Sequence, residues 1–256
     1  MPDAKGKRIA HQWLEQGVDD LMQVPAGTMP NAKLTRIHGA TLSGEPWHDR
    51  DAIRAEIAPW AFPRIFLDFE AIQFAIPRWV GTRPFTQIPF QFSAHIEEAD
   101  GTVTHHAFLS LDGSDPRRAC AEALVLLPET GAVVAWNASF ERNCLTGLAA
   151  LFADLAPALN DLASRLVDPL PVVRRHYYHR DMLGSWSLKA VLPTVEATGY
   201  ADLVEVKSGT DAQCGYLEAI HPDTSPERTA VLRDALLDYC RRDTEAVMIV
   251  LEALTR

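Results

Sequence analysis

Residues 64–72 read RIFLDFEAI, a short run of apolar, β-prone residues that predicts a strand. Side chains alternate between the two faces of a strand, so Asp68 and Glu70 share one face with Phe66 and Ile72. Two carboxylates on one apolar face repel each other, and desolvation penalises both. A divalent cation bound between them would compensate for this cost. The alternative is an edge strand on which both carboxylates face water.

The segments that follow this strand indicate an α/β fold. Two further strands, joined by a hairpin turn at residues 99–101, precede a helix, a strand and a helix, and the chain ends in a helix-rich part. A strand meander followed by alternating helices and strands predicts a mixed five-stranded sheet with helices on its faces. The predicted strands are 88–96, 103–111, 131–136 and 166–167, and the predicted helices are 115–127, 139–152, 185–196 and 227–255, with a loop after residue 152.

The chain divides into two parts at a proline-punctuated stretch, APWAFP at residues 58–63. It has 256 residues, enough for one large domain and an appendage when a domain holds roughly 150 residues. Residues 1–60 predict a small, mainly helical N-terminal arm, with one helix at about residues 7–16 and a shorter apolar segment around Leu21 and Val24. Residues 61–256 predict the main domain.

The last predicted helix carries a carboxylate on its apolar stripe. Asp243 follows Tyr239 by four residues, so the two side chains stack on one face of the helix. A carboxylate in a buried stripe is costly unless it is paired or binds a metal. The alternative is a rim position at which Asp243 pairs with Arg241, with Arg242 or with solvent. The stripe consists of Leu232, Leu236, Tyr239, Ala246 and Val250.

A further carboxylate stands where the strand at 131–136 gives way to a helix. Asn137 or Ser139 is a candidate cap for that helix, and Glu141 falls in its first turn. The helix dipole favours an anion there, which is one explanation of Glu141. The other is that Glu141, at the carboxyl end of one parallel strand, faces a carboxylate on the neighbouring strand.

Composition and charge exclude several classes of protein. A net charge of −10 argues against a protein that coats nucleic acid, although an enzyme that reaches phosphates through bound cations can be acidic. Glycine-rich nucleotide motifs and the GxSxG motif are absent from the sequence. The four scattered cysteines form no CxxC pair, and no apolar run is long enough for a membrane span. The start also lacks a secretory signal pattern, so we expect a cytoplasmic protein with no membrane partner.

The three acidic motifs together resemble those of the DEDD superfamily of 3′→5′ exonucleases, which have an RNase H-like fold. The order is D-x-E on a strand, N-x-x-F-E at a strand-to-helix junction and Y-x-x-x-D on a late helix. The Tyr239-to-Asp243 spacing is similar to that of the tyrosine branch. The chain most resembles a bacterial group of this superfamily. Members of that group are often fused to a RecB-like nuclease domain, whereas this chain shows only the short N-terminal arm at that place. The segments similar to that group are 66–70, 83–92, 177–179 and 187–193.

The resemblance implies a two-metal hydrolysis of phosphodiester bonds in single-stranded DNA or RNA, with Mg²⁺ or Mn²⁺. It implies that Asp68 bridges both metals, that Glu70 and Asp243 hold the one that activates water, and that Glu141 supports the second. Tyr239 would orient the attacking water or the phosphate. The superfamily usually has Asp in the middle motif, so Glu141 extends that carboxylate by about one bond, as in the bacterial group.

A net basic stretch rich in aromatic residues, 165–189, suggests where a single strand binds. The alternative is a solvated basic loop whose aromatic residues anchor it to the core. The competing functions are a structure-selective endonuclease with the same site, a catalytically inactive module that binds nucleic acid or a protein, and a metal-dependent phosphatase. Another nuclease or a helicase is a candidate protein partner. The candidate substrate-binding residues are Asn137, Phe140, Arg174, Arg175, Tyr178 and Lys189.

Overall fold

The computed structural model describes residues 4–197 and 199–256, and the predicted strand at 64–72 lies in the middle of a five-stranded sheet. The strands are β1 Trp47–His48, β2 Arg64–Ile72, β3 Ile88–Glu97, β4 Val103–Leu109, β5 Val133–Val134, β6 Leu166–Val167 and β7 Tyr177–Tyr178. The α-helices are α1 Ala4–Glu15, α2 Ala32–Ser43, α3 Arg50–Ile57, α4 Arg117–Leu124, α5 Ser139–Leu151, α6 Ala156–Ser164, α7 Pro169–His176, α8 Leu188–Val191, α9 Gly209–Ala219 and α10 Pro226–Thr255. Short 3₁₀ turns occupy Leu21–Gln23, Arg180–Met182 and Leu192–Thr194.

The sheet is mixed, as the sequence predicts. Its strand order is β4-β3-β2-β5-β6; β2, β3 and β4 form an antiparallel meander, and β5 and β6 run parallel to β2. The predicted hairpin turn joins β3 to β4, with Gly101 at a φ of 85° that glycine adopts without steric cost. The mixed α/β class with helices on the faces of a five-stranded sheet is therefore confirmed.

The two faces of the sheet pack against different helices. Ile65, Leu67 and Phe69 of β2 belong to a buried cluster with residues of α4, α5 and α6. Ile72 of β2 belongs to a second cluster, which includes residues of α9 and α10. Each of these fully buried side chains stabilises the fold by about 1.5–3 kcal/mol. Because β2 alternates, Asp68 and Glu70 lie on the face opposite Leu67 and Phe69.

The chain folds into two compact units. One unit contains the segment up to Pro59 together with Leu170–Gly199 and Ile249–Arg256, and the other contains Trp60–Pro169 and Tyr200–Met248. The first division lies next to the boundary predicted after residue 60. The two later segments that join the first unit are not part of the predicted arm of residues 1–60, and the predicted domains stay a prediction.

The N-terminal arm is mainly helical, as predicted, but the single predicted helix is only one of its elements. Helices α2 and α3 were missed, although both carry ordinary cap residues. Asn31 Oδ1 accepts the N–H of Leu34 at 2.9 Å, and Asp49 Oδ1 accepts the N–H of Ala52 at 3.1 Å. Gly44 ends α2 in the left-handed conformation.

Two predictions for the second half of the chain were wrong, and one helix was missed. The predicted loop after residue 152 contains α6 and α7, and the predicted helix at 185–196 contains only α8 and a 3₁₀ turn. Helix α9 was not predicted because two glycines weaken its helical pattern. One of these, Gly215, lies so close to Leu232 and Leu236 that an added Cβ would be within 4 Å of both side chains. None of the described helices has the length and apolar character to cross a membrane.

Candidate functional site

Strand β2 carries Asp68 and Glu70 at the centre of the sheet. Asp68 pairs with Ser93 and Glu70 with Gln91 of β3, while β5 lies on the other side of β2. A change of register directly after Glu70 marks a bulge, a feature that redirects side chains at the edges of sites. The alternative of an edge strand facing water is wrong, because β2 lies between β3 and β5, which pairs with Ile65 and Phe66, and Glu70 is only 8% exposed.

Buried polar contacts from β3 hold α10 over this face. The Gln91 amide nitrogen donates to the Leu236 carbonyl at 2.7 Å. The Thr244 hydroxyl lies 2.9 Å from the Ser93 hydroxyl and 2.8 Å from His95 Nδ1. These contacts set the position of α10 along the strand, and with it the positions of its site residues.

Helix α10 brings Asp243 to the carboxylates of β2. Carboxylate oxygens of Asp68, Glu70 and Asp243 all lie within 4.8 Å of one another, which is close enough for all three to bind one metal ion. The predicted stripe residues of α10 are all buried, and Tyr239 hydrogen-bonds to Asp243. The structure thus brings together four of the five predicted catalytic residues.

The carboxylate cluster is electrostatically costly. Burial raises the pKa of Asp68 well above its usual range, and the charges of Asp243, Glu70 and Glu141 raise it further. The Cys240 thiol donates to Asp68 Oδ2 at 3.6 Å, which opposes the rise only weakly. A cation would relieve this repulsion.

Glu141 approaches the same cluster from α5. It lies in the first turn of the helix and is only 3% exposed, and its Oε2 has no hydrogen-bond partner among the described residues. Burial, with a smaller contribution from the charge of Asp168, raises its pKa to about 7. Glu141 is not in the group of three carboxylates, but its charge acts on Asp68. The position of Glu141 fits both explanations: a carboxylate favoured by the helix dipole, and a further metal ligand that faces Asp68.

Asp168, at the end of β6, organises the start of α5. Its carboxylate accepts the backbone N–H groups of Asn137 at 2.9 Å and Ala138 at 3.2 Å. Asn137 has a φ of 65°, a conformation that few residues other than glycine and asparagine adopt readily. The prediction that Asn137 or Ser139 caps α5 with its side chain was wrong, since neither forms a side-chain cap bond. A carboxylate from the neighbouring strand takes that role instead.

The predicted substrate-binding residues are distributed over both compact units. Asn137 is exposed beside α5, and Phe140 is partly buried against the core. Arg174, Arg175, Tyr178 and Lys189 belong to the other unit.

The basic, aromatic stretch is largely occupied with its own contacts. Arg175 pairs with Glu56 and lowers the pKa of that carboxyl, and Arg174 lies over the Trp186 ring at 5.9 Å. Tyr178 and Trp186 are buried, at 4% and 5% exposure. Their rings therefore anchor this stretch, which agrees with the alternative that its aromatic residues hold it to the core.

Two side chains at the carboxylates were missed by sequence reasoning. The Tyr200 hydroxyl donates to Asp243 Oδ1 at 2.5 Å, and Cys240 contacts Asp68. Cys240 follows Tyr239 directly on α10, so its proximity to the predicted site could have been inferred from the sequence. Tyr200 precedes Asp243 by 43 residues, and no local pattern connects them.

Comparison with known proteins gives one family match. Residues 65–187, somewhat less than half of the chain, match the model of a family described as a domain of unknown function, DUF2779. The matched segment contains Asp68, Glu70 and Glu141 and ends before Tyr239 and Asp243. No curated protein and no solved structure matches the chain.

Proposed function

We propose that this protein is a metal-dependent nuclease that hydrolyses single-stranded nucleic acid from its 3′ end. The observation that carries the proposal is the approach of Asp68, Glu70 and Asp243 to within 4.8 Å, beside the buried Tyr239. The acidic motifs, in the order of the DEDD superfamily and its tyrosine branch, support the same assignment. We further propose an RNase H-like fold, for which the mixed five-stranded sheet with carboxylates on its central strand is the support.

The residues present fit Mg²⁺ or Mn²⁺. All the candidate ligands are carboxylates, the hard oxygen donors that these ions prefer over softer ligands. Asp68, Glu70 and Asp243 would hold the first ion, and Asp68 and Glu141 a second. The buried Oε2 of Glu141, which has no hydrogen-bond partner in the described part of the chain, is a ligand atom that such an ion would satisfy. When bound, two divalent ions would activate water and stabilise the charge that develops on the phosphate.

The protein's own groups orient the reactants. Burial, followed by the charges of Asp243, Glu70 and Asp68, raises the pKa of Tyr239, so its hydroxyl stays protonated at neutral pH. Tyr239 is therefore a hydrogen-bond donor and has no role as a base; its hydroxyl donates to Asp243 here and would turn to the attacking water or the phosphate when substrate is bound. Asp243 in turn accepts the Tyr200 hydroxyl, which fixes the orientation of its carboxylate.

The test uses a 5′-labelled single-stranded DNA and the matching RNA with Mn²⁺, Mg²⁺ or EDTA. We expect a metal-dependent ladder that shortens from the 3′ end and is absent in Asp243→Ala. The matched control is Asp238→Ala, which removes an exposed carboxylate from the same helix and should leave the ladder unchanged. Cleavage of a circular single strand would instead indicate an endonuclease. Intact substrate with every metal, together with no stabilisation by Mn²⁺, would refute the enzymatic proposal.

A further inference from the structure

The segment of residues 73–87, which we call the β2–β3 loop, leaves the carboxylate strand three residues after Glu70. It is 15 residues long and contains no helix or strand. Loops of this length without secondary structure are uncommon in compact domains and are often functional. The loop carries Arg78 and Arg83 and no acidic residue, in a chain whose net charge is −10.

The β2–β3 loop is anchored from its inner side. The Trp79 indole nitrogen donates to the Gly113 carbonyl at 3.2 Å, and the Trp79 ring meets the Phe74 ring edge-on at 5.4 Å. Both rings pack against the cluster that includes α9 and α10 residues. The Phe85 N–H donates to the Phe74 carbonyl at 2.8 Å, which closes the loop on itself. These contacts give the outer side chains a defined position.

The outer side of the loop is unusually apolar. Ile76, Val80 and Phe85 are 84%, 99% and 67% exposed. Phe85 also has a φ of 59°, a conformation that is strained for a bulky side chain. Burial of the Phe85 ring does not offset this backbone strain. Strained residues of this kind cluster at functional sites.

The charges around the loop suit a polyanion. Arg78 and Arg83 are exposed, and Arg78 lies 5.6 Å from the centre of the Trp79 ring. Residues 112–117, which contact the loop through Gly113 and Arg117, carry two carboxylates, and both are already engaged. Arg117 binds Asp115, with its Nε 2.9 Å from Oδ1, and Asp112 accepts hydrogen bonds from a neighbouring serine.

We propose that the β2–β3 loop binds the single strand next to the carboxylate cluster, with Phe85 stacking on a base and Arg78 and Arg83 binding phosphates. Exposed rings combined with cations are the usual means of holding single strands without sequence preference. The inference rests on the proposed nuclease function, since it names the surface that would hold that enzyme's substrate.

The test compares loop variants with matched controls elsewhere in the same unit. Phe85→Asn keeps a residue that tolerates positive φ but removes the ring, and Leu126→Asn removes an apolar side chain that is 80% exposed. Arg83→Gln is matched by Arg233→Gln, at an exposed position of α10. Binding of a fluorescent oligothymidylate of about 15 nucleotides is measured by anisotropy in EDTA, where hydrolysis is suppressed.

We expect Phe85→Asn to weaken binding by about 5- to 100-fold without loss of thermal stability, and both controls to bind like the wild type. In Mn²⁺, the loop variants should raise KM for the oligonucleotide. They should raise KM far less for the p-nitrophenyl ester of thymidine 5′-monophosphate, which has a single base and no internucleotide phosphate.

Equal binding by Phe85→Asn and the wild type, or no binding by the wild type across the micromolar range, would overturn the inference. So would a dimer in sedimentation that Phe85→Asn converts to a monomer, since the surface would then join two copies of the chain. Loop-dependent binding without hydrolysis of either substrate would support the loop surface and refute the nuclease proposal.

Discussion

Replacement of Asp68 by Asn should affect stability in opposite directions with and without a divalent metal. Its carboxylate lies within 4.8 Å of those of Glu70 and Asp243. At that distance and an effective dielectric constant of about 20, two unit charges repel by about 3.5 kcal/mol. Protonation relieves part of this cost, because the pKa of Asp68 is raised by burial and by its neighbours. We therefore expect Asp68→Asn to stabilise the metal-free protein by about 1–3 kcal/mol.

The pH dependence has a definite sign. A carboxyl whose folded-state pKa is raised stabilises the fold while it is protonated, and this contribution is lost as the pH rises through the raised pKa. The wild type should thus lose stability towards high pH in EDTA, while Asp68→Asn loses less. The advantage of the variant should be largest at alkaline pH.

Mn²⁺ should reverse the order of stability. At a concentration of about 1,000 times Kd, a bound ligand stabilises the fold by about 4.1 kcal/mol, or about 8–16 °C in Tm for a protein of this size, which exceeds the advantage of the variant. Asp68→Asn should lack this gain, because it removes the carboxylate shared by both proposed ions. The assay is thermal unfolding in EDTA and in a Mn²⁺ series, with Asp238→Asn as the control. An equal Mn²⁺ response in wild type and Asp68→Asn would refute the reasoning.

Three further predictions concern groups around this cluster. Burial raises the folded-state pKa of Glu141 from 4.5 to about 7. The free energy of unfolding of the wild type in EDTA should therefore fall by up to about 3 kcal/mol as the pH rises between those values. Urea unfolding of Glu141→Gln should lack this loss, and parallel pH profiles would contradict the assignment. Tyr239→Phe should keep the Mn²⁺ stabilisation but lower kcat about 100-fold, since only the orienting hydroxyl is removed; an unchanged kcat would exclude that role. Asp168→Ala should lower the free energy of unfolding by about 2 kcal/mol, because it removes the acceptor for the N–H groups of Asn137 and Ala138; an unchanged denaturation midpoint would show that water replaces it.

Local periodicity was enough to predict the central elements of the sheet and the last helix. The alternation in RIFLDFEAI placed Asp68 and Glu70 on one face of β2. The four-residue spacing on α10 placed Tyr239 and Asp243 on one face of that helix. Both patterns depend only on residues within a few positions of each other. The weakly patterned α9 escaped because two glycines interrupt its helical pattern, whereas α2 and α3 of the N-terminal arm were missed although Asn31 and Asp49 are ordinary cap residues.

The sequence by itself determined which side chains share a face of β2 and of α10, because side-chain direction follows from backbone geometry over a few residues. Only the tertiary structure decided that these faces meet, that Tyr200 reaches Asp243, and that Asp168 caps α5. These contacts join segments that are far apart in the chain, and the sheet order and buried hydrogen bonds that create them have no local signature. The orientation of the carboxylates is therefore a property of the packed sheet and helices.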